Sequence, residues 1–431
     1  MTPAKNLTPP RQAPAKAAEP SLRRLLVERD ASLYLSGQII SMVGDSSLWL
    51  AMGIWVKALT GSSSDAALVW LAFILGGLTG PLTTVLVDRL RVRRLLTLIN
   101  LVSAADVMLL LLVHGKADVW LVYPVLFFYG VTYALLNAGT SALMKPMFGD
   151  ELLPSVNAIL STAKQSMNLV APVIGAGVYV IVGAGPVIVT DAASFAVAAA
   201  ALSCMRIRTP PASDRSVERP GAWAVLSIGM RHLMGTPALR RVVLATSIAV
   251  LGLGFLEPAE FSVNSQGLHR EPAFIGLLFA FQGAGALFGG LYAGRAVRAF
   301  GETKTAALYL TAMSVGIALM AVPVLPVVMG AFALYGAALT GLVAAQQTQL
   351  QRLTPLGIQG RTNGAAGLLT KTPQAFGIAV GSALIGVVGY LALLALIALL
   401  AGSAAAMLFL GRGENAAGAT APLFTDRRES S

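Results

Sequence analysis

Ionisable side chains stand inside long apolar runs of this 431-residue sequence, among them Asp45, Asp106, Lys164, Glu257, Glu260 and Lys371. A charge at the centre of a hydrocarbon layer costs roughly 2.5 to 3.5 kcal/mol on insertion scales, so such groups are few and pair or titrate. Asp45 lies in SMVGDSSLW, where a carboxyl can bind and release a proton, or can cap and anchor the helix beside Gly44 and Ser46. Asp106 stands in the middle of the third apolar run, where it either titrates or pairs with a polar neighbour. Glu257 and Glu260 are one helical turn apart and share a face. They read either as cation- or proton-handling groups or as a solvated rim. Asp45, Asp106 and Glu257 are therefore the candidates for proton coupling.

The two lysines allow a second chemistry. Each has a long stem that can carry its ammonium to an interface, or can present it to an acid or an anionic ligand. Gln165, Asn168 and Gln374 lie close to them in sequence and supply neutral hydrogen bonds. Lys164, Gln165, Asn168, Lys371 and Gln374 are thus the candidate ligand-cavity residues. Catalysis finds little support. No nucleophile–base pair or metal spacing is present, His114, His232 and His269 fall near predicted loops, and Cys204 is the single thiol. No cofactor is expected, and the absence of a GxxxxGK[ST] loop directs the energy source to an ion gradient.

The elements that must position these residues follow from composition. The chain is 56% hydrophobic and 12% charged, where a soluble domain carries about 25% charged residues. Most of its surface must therefore meet lipid. The net charge of +11 is spread between apolar runs rather than gathered in a patch, which argues against nucleic acid. A window of about 20 apolar residues gives twelve spans, near 34–57, 66–87, 94–114, 119–143, 156–182, 186–205, 239–263, 272–294, 303–322, 324–346, 362–388 and 390–410. Of the 31 Lys and Arg residues, only Lys57, Lys116 and Arg270 fall in loops after odd-numbered spans. That asymmetry places both termini in the cytoplasm.

The spans group as two six-helix halves. Residues 31–205 and 239–410 are the expected halves, joined by a cytoplasmic linker at 206–238 and flanked by polar tails at 1–30 and 411–431. A shift of 206 maps Asn157 onto Asn363, Gly175 onto Gly381, Gly183 onto Gly389 and Arg89 onto Arg295, as duplication would. Between spans two and three a basic hairpin carries Asp88, Arg89, Arg91, Arg93 and Arg94. Asp88 there suits the N-terminus of a helix in the other half, near Arg361 to Gly364, as a latch that breaks when the halves rock.

Twelve spans with DRLRVRR after the second resemble the major facilitator superfamily, whose loop signature reads roughly G-x-L-x-D-R-x-G-R-R. This chain keeps Leu86, Asp88, Arg89 and Arg93, with Thr84 and Arg91 at the signature's glycines. GGLYAGRAVRAFG around Arg295 is similar to the weaker copy in the second half. SGQIISMVGDSSLWLA followed by LTGSSSDAALVWLAF is similar to the branch of the enterobactin exporter and macrolide efflux proteins, and APVIGAG resembles a degraded form of the antiporter signature that ends in G-P-x-x-G-G. The resemblance implies an all-α membrane protein of the bacterial inner membrane. It implies a monomer exporting a small amphipathic drug or siderophore by proton antiport and alternating access, with Asp88, Arg89, Arg93, Arg94 and Arg295 as gating residues. An importer of a lipid-like or metabolite substrate is the alternative on the same fold.

Overall fold

The computed structural model describes residues 29–80, 92–205, 222–355 and 358–410. Asp88, Arg89 and Arg91 lie outside them, as do the side chains of Lys164, Gln165 and Asn168. Among the described residues the chain is helical, with no strand. In order the helices are α1 (Arg29–Thr60), α2 (Ser63–Gly77), α3 (Val92–Met108), α4 (Val122–Val182), α5 (Ala184–Cys204), α6 (Ala222–Gly235), α7 (Pro237–Ser262), α8 (Ile275–Phe300), α9 (Glu302–Leu319), α10 (Leu325–Leu353) and α11 (Gln359–Leu410). By length and composition, eight helical stretches among the described residues can cross a membrane. Large apolar side chains such as Leu98, Phe128, Leu291, Val387 and Leu399 are exposed on their outer faces. A helix apolar on both its packed and its open side is adapted to lipid.

Two of the helices serve as two spans each. In α4 the Tyr129 hydroxyl reaches Asp45, while the backbone at Gly175 lies against Ser47. A straight helix would hold residues 129 and 175 about 70 Å apart, so the run folds back between them. In α11 the reversal is Gly389, at φ +76°. Its equivalent at the 206-residue shift, Gly183, turns α4 into α5 at φ +78°. Both positions need a residue free of the Cβ clash.

The core falls into two large apolar clusters. One gathers Leu48, Met52, Val107, Leu126, Tyr129, Ile188 and Phe195 from α1 to α5. The other gathers Leu256, Leu310, Phe332, Leu342, Leu393 and Ile397 from α7 to α11. Within each, backbones meet at glycine: a Cβ on Gly130 would lie 2.1 Å from the Phe73 carbonyl oxygen, and one on Gly336 would lie 1.9 Å from that of Gln282. Gly130 and Gly336 are themselves 206 residues apart. Small residues at such crossings let membrane helices approach backbone to backbone. The expected polar linker contains α6, whose Gly229 lies against the Arg361 carbonyl at the start of α11. The N-terminus proposed for the Asp88 latch thus has a linker helix packed on it.

Candidate functional site

The first half holds an acid pair built from two helices. The Tyr129 hydroxyl donates a 2.8 Å hydrogen bond to Asp45 Oδ1. Asp45 is therefore bonded to a residue 84 positions away, beyond anything a local cap provides. Asp191, on α5, is 0% exposed; the Tyr129 hydroxyl stands beside it but gives its proton to Asp45, which leaves neither Asp191 carboxylate oxygen with a well-formed hydrogen bond among the described residues. Asp191 bears electrostatically on Asp45. The approach depends on Gly44: a Cβ there would lie 2.6 Å from Asp191 Oδ1 and 2.4 Å from Ser194 Oγ. Ser194 gives its own hydroxyl to the Asp191 backbone carbonyl at 2.8 Å, so it does not satisfy the carboxylate. Phe73 and Phe195 flank the Tyr129 ring at centroid distances of 5.9 and 5.8 Å and fix its direction.

Asp191 was open to sequence reasoning. It stands in VIVTDAASFA, an acid in an apolar run like Asp45, and the same membrane-cost argument selects it. Tyr129 gave no comparable signal, since a phenol is at home in a membrane helix.

The second half holds an acid pair built from one helix. Glu260 is 4% exposed, Glu257 is half-buried, and Tyr335 on α10 is buried and bears electrostatically on both. A solvated rim is excluded for Glu260 by that burial. Asp106, by contrast, stands apart: it is half-buried, and among the described residues its Oδ2 has no partner and no other ionisable group bears on it. Lys371 is exposed, and Gln374 is half-buried with its backbone carbonyl against Gly254. Arg93 donates to the Met205 carbonyl, Arg94 is exposed, and exposed Arg295 lies over the Tyr292 ring at 5.5 Å. Gln349 of α10 is buried and donates to Thr303 Oγ1 at 3.2 Å.

The halves touch at one end. The α1–α2 turn TGSSSD is shaped by Gly61 at φ +72° and by Ser62, whose hydroxyl caps α2 by accepting from the Asp65 amide. Lys57, 8% exposed, donates to Ser63 Oγ at 2.7 Å and to the Gly61 carbonyl at 3.0 Å. Ser262 of the second half then donates to Ser63 Oγ at 3.0 Å, and Ser64 donates to the Ser382 carbonyl. Beneath them Ile54, Ala66, Phe261 and Ile275 form one apolar cluster, and Ala67, Trp70 and Ile378 another. At the other end the clusters around Tyr34 and Leu143, and around Leu233 and Leu350, each stay within one half or its linker helix.

Two helical bundles that close at one end and bury acids between apolar walls have the architecture of a membrane transporter. The family model described as Major Facilitator Superfamily matches residues 34–262, and the chain belongs to that superfamily. It is 25% identical over 370 residues to the multidrug efflux pump Tap of Mycolicibacterium fortuitum, covering 83% of this chain and 89% of Tap. Among solved structures it is similar to a bacterial homologue of the iron transporter ferroportin in its inward-facing state, with TM-score 0.65, 16% identity, and coverage of 90% of this chain and 99% of that one. It is also similar to the POT family transporter PepTSo, with TM-score 0.70, 12% identity, and coverage of 91% and 98%. At those identities the two solved structures speak for the fold. Family and fold are those of multi-pass membrane transporters.

Proposed function

We propose that this chain is a secondary active exporter that moves a small amphipathic molecule out of the cytoplasm by proton antiport and alternating access. The observation that carries the reading is the Asp45–Asp191–Tyr129 group: two acids from different helices beside one buried phenol, Asp191 being wholly buried. Like charges that close in a low-dielectric setting are relieved when a proton is shared between them. Proton loading of this group then favours one packing of α1 on α5 and proton release another. The similarity to Tap supports export and a drug-like cargo. Asp106 and Glu257 are further coupling candidates. Lys164, Gln165, Asn168, Lys371 and Gln374 are proposed to line the cargo cavity.

With the termini cytoplasmic, the end sealed by Ser63 and Ser262 is the outer one, and the conformer is inward-facing. In that state the cavity opens to the cytoplasm, where an exporter takes up its cargo. Arg93, Arg94 and Arg295 then lie at the inner end, and Asp88 and Arg89, outside the described residues, are proposed as gating residues with them.

The test is proton flux in proteoliposomes challenged with macrolides, siderophores and lipophilic cations. Proton movement evoked by one class, and lost in Asp45→Asn, is the expected result. Cargo transport that persists without a pH gradient and in Asp45→Asn overturns the coupling. Accumulation in right-side-out vesicles selects the importer.

A further inference from the structure

Tyr129 and Tyr335 are 206 residues apart, the same shift that relates Gly183 to Gly389 and Gly130 to Gly336. Each tyrosine directly precedes the glycine at which its helix crosses the second helix of its half, α2 under Gly130 and α8 under Gly336. Each is buried and lies within electrostatic reach of an acid pair: Asp45, to which Tyr129 also donates, and Asp191 for Tyr129, and Glu257 and Glu260 for Tyr335. In each half one acid is more than nine-tenths buried, namely Asp191 and Glu260. The acids themselves do not obey the shift. The arrangement has been reached from different backbone positions around one equivalent phenol.

We propose that each half carries its own proton-binding site, an acid pair set against the equivalent tyrosine, so that one transport cycle exchanges two protons. This rests on the antiport reading above. In each site one proton bridges two carboxylates, giving a carboxylic acid bonded to a carboxylate, and leaves to water as the halves rock. Among the described residues, Tyr129 from α4 faces the first site, with Tyr133 one turn on, while Asp106 of α3 has no charge interaction with it there. The second site is faced by Tyr335 from α10. The Lys57 ammonium at the α1–α2 turn is engaged by Asp65 and Ser63 instead, and Lys371 on α11 is exposed. Two protons allow a one-unit pH gradient to sustain about a hundredfold gradient of a neutral cargo, where one proton allows about tenfold.

The experiment is infrared difference spectroscopy of the purified full chain between acid and alkaline pH, read at the carbonyl stretch of protonated carboxyls. Two bands are expected, one removed by Asp191→Asn and the other by Glu260→Gln, each variant sparing the other band. Tyr129→Phe should shift only the first and Tyr335→Phe only the second, which also guards against a variant that misfolds. A spectrum unchanged by both Glu260→Gln and Tyr335→Phe overturns the second site. Bands that answer to sodium ions at constant pH overturn the proton as ligand. Two intact bands without cargo-linked proton flux would leave the two sites standing and instead defeat the antiport reading.

Discussion

The two acid pairs differ in how their spacing is held. Glu257 and Glu260 ride on one helix, so their separation is set by backbone geometry and cannot change much while α7 stays helical. Asp45 and Asp191 come from α1 and α5, and their separation is the packing distance of those helices at Gly44. A pair on one helix keeps its spacing as the halves rock and releases its proton only when water reaches it. A pair across two helices feels every change in their contact, so the first pair is better placed to convert protonation into movement.

Locking the closed end should have the largest effect. In a Cys204→Ser background, cysteines at Ser63 and Ser262, whose oxygens are 3.0 Å apart, should cross-link on oxidation and stop transport until reduced. Continued turnover of the cross-linked protein would show that this contact is not a gate. Next in size, Asp191→Asn should cut pH-driven flux more than tenfold, whereas Glu257→Gln should cut it less, because the second pair does not sit across a moving contact. Equal losses would erase the distinction between the pairs. Gly44→Val forces α1 away from α5 and should destabilise by about 1–3 kcal/mol, as overpacking does, measured by unfolding in detergent. A matching change at Gly177, where a Cβ meets nothing within 4 Å, should be tolerated. Smallest, Tyr129→Phe removes one hydrogen bond, worth about 0.5–1.5 kcal/mol, and should lower stability more than replacement of exposed Arg352, which pairs with Glu302 at the surface.

The span pattern was legible because a run of about 20 apolar residues can hardly be anything else in this composition. The shift of 206 was legible too: Gly183 and Gly389, matched by letter alone, turn out to make the same positive-φ reversal. Asp45 could be singled out but not its partner Tyr129, because a bond between α1 and α4 depends on tertiary packing that no local spacing encodes. Tyr335 was hidden for the same reason until the shift was applied to the phenol. Glu260 was misread as possible rim because sequence distance from a predicted span end says little about burial. The basic hairpin at Asp88 and Arg89 was the loudest motif in the sequence and lies outside the described residues.

The closed end is held by hydroxyl and carbonyl contacts, with Lys57 folded inward. Exposed ion pairs weaken as ionic strength rises, but short hydroxyl bonds over an apolar floor do not depend on screening. The seal that separates the cavity from the outside should therefore hold equally well in dilute and in salty surroundings, leaving the proton gradient rather than the medium to set when it opens.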